Sequence, residues 1–253
     1  MSFVLRVGAS ALQRPARRLR YGPHRDQNAE LFLPAGGGPF PLVVALHGGW
    51  WQARRTRTKL YTRPLSADLV RHGFAVLNAE YRRVGGGGGW PATFDDARAV
   101  VALAREQPEA ASVAVLGHSA GGHLALYAAA EGGLDAVVAL AAPSDLEAKP
   151  GPETQALMGG TPSAVPERYV LGNPIRRLPI GVPVLLVHGT RDETVPPRRS
   201  RDFATAARAA GDDVTLVEPD ADHRQVIDPR HPAWKPVPAW LRERDRYAVL
   251  RHD

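Results

Sequence analysis

Six residues with the spacing for nucleophilic chemistry stand together as Gly117-His118-Ser119-Ala120-Gly121-Gly122. A β-branched apolar run, 113–116, leads into them, and an Ala/Leu-rich stretch, 121–131, leads away. Gly-x-Ser-x-Gly between a strand and a helix is a sharp turn that lifts a serine Oγ clear of a sheet, and the small flanking residues let the backbones pass. The hydroxyl then lies at a helix N-terminus, where free N–H groups favour developing negative charge. Ser119 is the candidate nucleophile.

A serine hydroxyl attacks poorly until a base takes its proton, and that base must be oriented by a carboxylate. In this setting the chain order is Ser, then Asp or Glu, then His. The run 184–187 is followed by His188-Gly189-Thr190-Arg191-Asp192, and the run 214–217 by Glu218-Pro219-Asp220-Ala221-Asp222-His223. Asp192 and His223 are therefore the candidate acid and base, each on a loop beyond a strand's carboxyl end, where open α/β sheets bind ligands. Asp145, one strand earlier, is the rival acid. His188, immediately after a strand, reads as a residue that orders its loop.

A tetrahedral intermediate also needs N–H donors from a second loop. The early run 42–46 leads into His47-Gly48-Gly49-Trp50-Trp51, and the N–H groups of Gly49, Trp50 and Ala120 are the candidate oxyanion donors. Trp51, His118 and Trp90 are candidate substrate contacts by position; for Met158 and Tyr169 the sequence decides nothing. With no cysteine, a thiol nucleophile, a disulfide scaffold and a Cys-ligated metal are excluded. No His-Glu-x-x-His spacing occurs, so neither a metal nor a cofactor is expected.

These residues need a sheet to hold them. The runs 42–46, 74–77, 113–116, 136–140, 184–187 and 214–217 are apolar on both faces, as in central strands covered from both sides. Helix-like stretches alternate with them at 64–72, 94–106, 121–131, 200–210 and 233–247, which predicts a mostly parallel α/β sheet. An extra edge strand is expected at 30–33, and a flexible spacer loop at the five glycines 85–89. The proline-rich segment 147–182 has little periodicity and is expected to leave the sheet and cover a pocket. At 253 residues the chain reads as one domain, 21–253, behind a basic N-terminal arm, 1–20.

The net charge is +6, and all but three of the 32 basic residues are arginines. A basic chain raises a polyanionic partner. These arginines are scattered, however, and no nucleic-acid-binding motif accompanies them, so neither a nucleic acid nor a membrane is expected as partner. Arg54, Arg55 and Arg57 follow the candidate oxyanion loop and could steer a substrate carboxylate. No apolar stretch approaches the ~20 residues of a membrane span, and the N-terminus lacks the order of a secretory signal. A cytoplasmic location is the expectation; the oligomeric state is not legible.

From about residue 20 to 243 the chain resembles the α/β-hydrolase superfamily. The loop from His47 to Trp51, the Ser119 turn, Asp192 and His223 are similar to those of the small carboxylesterase branch, which includes arylformamidases and hormone-sensitive-lipase-like esterases. Glu80-Tyr81-Arg82, and Trp90-Pro91 ahead of Phe94-Asp95-Asp96-Ala97, add to the likeness. The resemblance implies about eight strands with helices on both faces, at most a small cap, and ester or amide hydrolysis without a cofactor. Trp50 stands where the lipases have a third glycine, which favours a short-acyl esterase or formamidase pocket. The expected function is a serine hydrolase acting on a carboxylic ester of a small acyl or aryl substrate. The alternatives are an arylformamidase acting on an N-formylkynurenine-type amide and, from another class, a non-catalytic anion or nucleic-acid binder on the same fold.

Overall fold

A computed structural model describes residues 14–55, 58–148 and 150–249. Its eight strands form one sheet in the order β1-β2-β4-β3-β5-β6-β7-β8, with β1 (Arg17–Arg20) and β2 (Asn28–Phe32) antiparallel and the rest parallel. The parallel set is β3 (Phe40–Leu46), β4 (Ala75–Ala79), β5 (Ala110–His118), β6 (Ala136–Leu140), β7 (Val184–Val187) and β8 (Val214–Val217). Successive residues of these strands serve opposite faces. Leu42, Val44 and Leu46 pack with α2 (Ala92–Arg105), α3 (Ala120–Ala130) and α6 (Arg198–Ala209). Val43 and Ala45 pack with α1 (Arg63–Arg71) and the Trp234–Leu241 region that leads into and includes the start of α7 (Pro236–Val249). Burial on both faces explains why the strand segments read as continuous apolar runs rather than alternating ones.

The chain leaves β3 toward β4 on one side and continues through β5 on the other. That reversal opens a crevice at the carboxyl ends of the strands, the place where such sheets bind ligands. Every candidate catalytic residue lies on a turn at this edge.

Two expectations about the start of the chain are corrected. Residues 17–20, assigned to a basic arm, form edge strand β1, with Arg18 opposite Glu30 and Leu19 opposite Ala29. Exposed charge is what keeps an edge strand from pairing with other chains, so an Arg-rich strand looks like a tail in sequence. The strand expected at the edge, now β2, lies inside β1 instead. The rest of the arm, 1–13, lies outside the described residues.

The glycine run is a tight turn and not a loose spacer. The N–H groups of Gly86 and Gly88 bond to the Arg83 carbonyl at 2.8 and 2.9 Å. A Cβ on Gly88 would fall 2.4 Å from the Arg82 backbone, so a side chain there has no room. The turn is anchored by buried Asp96, whose carboxylate receives the Arg82 N–H and guanidinium as well as the Gln27 amide.

The proline-rich segment carries two short helices, α4 (Pro152–Met158) and α5 (Pro166–Gly172), each opened by a proline in its first turn, where the missing N–H costs nothing. Met158 and Tyr169 are fully buried in the core. Several arginines form ion pairs, among them Arg63–Glu30, Arg82–Asp96 and Arg201–Glu218. Among the described residues no helix is long and apolar enough to cross a membrane.

Candidate active site

β5 ends at His118, and α3 begins at Ala120, so Ser119 alone makes the turn between them. It does so at φ 54° and ψ −120°, a conformation that a non-glycine residue adopts only when its surroundings force it. Three contacts supply that force. The Ser119 N–H bonds the Leu140 carbonyl of β6 at 2.8 Å. A Cβ on Gly117 would lie 2.0 Å from the Gly121 carbonyl oxygen, and one on Gly121 would lie 2.2 Å from that of Leu46. The two glycines of the motif are thus required by backbone packing, Gly117 against the start of α3 and Gly121 against the end of β3.

The loop after β7 and the loop after β8 are joined to each other. Thr190 N–H bonds Pro219 O at 2.9 Å, and Arg191 N–H bonds Ala221 O at 3.0 Å. This joint brings Asp192 to His223, whose Nδ1 lies 2.7 Å from Asp192 Oδ2. The other carboxylate oxygen accepts the N–H groups of Thr194 and Val195 at 2.8 and 2.9 Å. Burial alone would raise the carboxyl's pKa. The hydrogen bonds from His188 and His223, the charge of His223 and the Val195 N–H outweigh it and hold Asp192 well below the usual carboxylate range. Asp192 is therefore ionised at neutral pH, as an orienting acid requires. His223 Nε2, the nitrogen left for a nucleophile, is buried without a hydrogen-bond partner.

Asp145, the rival acid, serves another purpose. Its Oδ1 accepts from the Glu147 and Ala148 N–H groups and from the Asn173 amide, turning the chain into the segment that holds α4 and α5.

The loop after β3 lies directly on the serine turn. A Cβ on Gly48 would sit 3.1 Å from His118 Nδ1 and 3.2 Å from Ser119 Cβ. Gly49, Trp50 and Trp51 all take positive φ, which turns this stretch of backbone away from ordinary pairing. Among the described residues the N–H groups of Gly49 and Trp50 donate to no backbone carbonyl, and Ala120, first in its helix, has no intrahelical acceptor. From behind, His47 Nε2 lies 2.7 Å from Glu80 Oε1, its ring stacks on Tyr81 at 4.4 Å, and the Tyr81 hydroxyl donates to its carbonyl. Burial raises the Glu80 pKa, but the His47 contact, Arg83 and the Lys59 N–H bring it below its ordinary value. The loop is thereby anchored on a charged carboxylate.

A cavity of about 330 Å³ opens beside this constellation. Trp50, Pro143, Leu146 and Thr194–Pro196 line it, and Gly151, Glu153 and Thr154 bring the start of α4 to its wall. Of the three expected substrate contacts only Trp51 lines it. Its indole is almost wholly buried, and the ring N–H is spent on the Ala120 carbonyl at 3.1 Å. His118 instead donates from Nε2 to the His223 carbonyl at 2.8 Å, fixing the base loop. Trp90 packs edge-on against Phe94 at 4.9 Å. The His118 partner is 105 residues away in sequence, the Trp90 partner only four. The guanidinium groups of Arg54 and Arg55 lie 3.6 and 3.7 Å from Glu153, so they face a carboxylate of the protein itself; Arg57 lies outside the described residues. None of Ser119, Asp192 and His223 is among the residues lining the cavity of about 330 Å³, which reaches the site through Trp50, Trp51 and Thr194–Val195. A second cleft, about 440 Å³ between α1 and α7, is lined by no candidate site residue at all.

His123, four residues after Ser119, is sealed against Trp51 and Phe94 and donates from Nε2 to the Gly172 carbonyl. Burial lowers its pKa from 6.5 to about 4, with the Gly172 carbonyl opposing. Between those values the unfolded chain binds a proton that the folded chain refuses, so stability falls as the pH drops. From pH 7 to pH 4 the loss is expected to be about 3 kcal/mol. Urea unfolding of wild type and His123→Leu at both pH values measures it. The variant's loss should be smaller by that amount, and equal losses would remove His123 as the cause.

The sheet order, the two helical layers and the serine turn at the crevice define an α/β-hydrolase. A family model described as BD-FAE matches residues 30–207, and the chain belongs to that family. It is 26% identical over 226 residues to "Esterase LipC" of Mycobacterium tuberculosis, covering 76% of this chain and 55% of that protein. It is 29% identical over 133 residues to "Kynurenine formamidase" of Danio rerio, covering 48% and 44%. The chain thus spans about half the length of the curated relatives it matches. Among solved structures, a truncated carbohydrate esterase from gut microbiota superposes with a TM-score of 0.78 at 21% identity, over 92% of this chain and 99% of that one. The propionate-bound esterase Est2 of Thermogutta terrifontis gives 0.71 at 22%, over 92% and 93%. At these identities the superpositions speak for the fold.

Proposed function

We propose that the protein is a serine esterase that hydrolyses carboxylic esters of small acyl or aryl substrates. The observation that carries this reading is the Asp192–His223 pair at 2.7 Å, beside a serine turn and a loop whose Gly49 and Trp50 N–H groups donate to no backbone carbonyl among the described residues. In the proposed cycle His223 Nε2 takes the Ser119 proton as Oγ attacks the carbonyl carbon. Asp192 holds the imidazole in the tautomer that leaves Nε2 free to accept and stabilises the imidazolium that results. The N–H groups of Gly49, Trp50 and Ala120 receive the oxyanion; one such donor is worth about 3–4 kcal/mol in the transition state. His223 then passes its proton to the leaving alcohol, and water repeats the sequence to free the acid.

A cavity of about 330 Å³ suits a small acyl or aryl group better than a long lipid chain. The same machinery can cleave a formamide, and the formamidase relative, together with a tryptophan at Trp50, keeps that second reading in view. A panel of 4-nitrophenyl acetate, butyrate and decanoate beside N-formylaniline separates them. The expected order of kcat/KM is acetate and butyrate well above decanoate, with the formamide slower still. A formamide turned over faster than every ester would replace the esterase reading with the formamidase one.

A further inference from the structure

Four N–H groups lie within 3.2 Å of the Asp192 carboxylate, and only one of them belongs to the base. Oδ1 is met by the backbone N–H groups of Thr194 and Val195. Oδ2 is met by His223 Nδ1 at 2.7 Å and by His188 Nε2 at 3.2 Å. His188 is fully buried at the carboxyl end of β7. Its Nε2 also lies 2.9 Å from the Val195 carbonyl, and its Nδ1 lies 2.7 Å from the hydroxyl of buried Ser200 on α6.

The hydrogen positions follow from the partners. Both neighbours of Nε2 are acceptors, so Nε2 carries a proton. Ser200 is the neighbour of Nδ1, and its hydroxyl can donate there. A carboxylate has room for about four donors, and here all four places are filled. We infer that His188 is a positioning residue of the active site, its Nε2–H sharing Asp192 Oδ2 with His223 and so setting how strongly that oxygen holds the base.

This inference rests on the proposed triad. Its physical content is a competition for one oxygen. While His188 donates to Oδ2, part of that oxygen's acceptor strength is drawn away from His223. Without His188 the two backbone N–H groups still hold Oδ1, and Oδ2 belongs to His223 alone. A carboxylate with fewer donors is the stronger partner for an imidazolium. Protonated His223 is then favoured, and the acid limb of activity moves to higher pH. The other ionisable groups nearby do not duplicate this contact. His118, from the end of β5, packs on the His223 ring at 4.7 Å, and among the described residues the ion pairs of Asp192 are those with His188 and His223.

The test compares pH profiles of kcat/KM on 4-nitrophenyl acetate for wild type, His188→Leu and His188→Gln. Leucine fills similar space without a donor, whereas the glutamine amide returns an N–H near the position of Nε2. The acid limb of His188→Leu should move up by roughly half to one pH unit, with kcat lowered and KM unchanged within about twofold. His188→Gln should keep the wild-type limb. A limb that stays in place in His188→Leu while kcat falls reduces His188 to a packing residue and overturns the inference, as does a downward shift. Should the leucine variant not fold, long-range 1H–15N NMR of the labelled wild type still decides. A ring protonated at Nε2 and bare at Nδ1 is expected; protonation at Nδ1 alone refutes the inference. The NMR reading needs no turnover, so a wild type that hydrolyses no ester would count against the esterase proposal and leave the tautomer to judge His188.

Discussion

Ser119→Ala is expected to lower kcat on 4-nitrophenyl acetate by about 10⁴-fold or more, to the level that binding and an oxyanion site sustain alone. The size of the effect follows from the turn. Ser119 is the one residue between β5 and α3, and its φ of 54° is imposed by the packing of Gly117 and Gly121 on neighbouring backbone. Alanine can be held in the same way, so the fold should persist. KM should change little, because the hydroxyl contributes to bond-making and not to the walls of the cavity. Steady-state kinetics, with circular dichroism to confirm folding, separates this from a variant that has simply unfolded. Removing strain is not expected to stabilise the variant, since alanine meets the same positive φ.

Asp192→Asn is the second large effect, expected at roughly 10³–10⁴-fold in kcat. The variant keeps an oxygen for the Thr194 and Val195 N–H groups, so the loop stays in place. Its amide NH₂ then occupies the position of Oδ2 and confronts the His223 Nδ1–H with a donor. The imidazole relieves the clash by moving its proton to Nε2, the nitrogen that must accept from Ser119. The ring is present, correctly placed and wrongly protonated. In wild type the opposite holds over the whole working range, because the donors around Asp192 keep its carboxyl well below the ordinary value. Protonation of Asp192 is therefore not expected to cause loss of activity near neutral pH. Stability contributed by Asp192 is present at neutral pH and is lost only as the pH falls through that depressed value. A kcat for Asp192→Asn within tenfold of wild type would mean that another group orients His223.

The main chain of this architecture was readable because its signals are local. Runs such as 136–140 and 184–187 are buried on both faces and coincide with β6 and β7. The serine turn, Asp192 and His223 each stand directly after such a run, so chain order alone arranges them along one edge. Most of what the sequence hid depends on partners far away. Residues 17–20 resemble a tail because an edge strand is guarded by charge, and only pairing with β2 reveals it. The two helices α4 and α5 were not legible in the proline-rich segment because prolines that open short helices are indistinguishable in sequence from prolines that break them. His118 and Trp90 looked like substrate contacts by proximity to the motif. Their directions are set by the His223 carbonyl and by Phe94. His188 read as a loop residue, and its bearing on Asp192 required the curl of the loop four residues long. Several of the arginines form ion pairs, and the pair of arginines beside the oxyanion loop faces Glu153.

The most direct test of the central claim is covalent capture of the nucleophile. A fluorophosphonate probe is incubated with wild type, Ser119→Ala and Asp192→Asn, and the adduct is mapped by tandem mass spectrometry. The proposed mechanism predicts one phosphonyl group on Ser119 in wild type, slow labelling of Asp192→Asn, and none in Ser119→Ala. Labelling of a different residue, or full ester hydrolysis by a protein whose Ser119 remains unmodified, would contradict it.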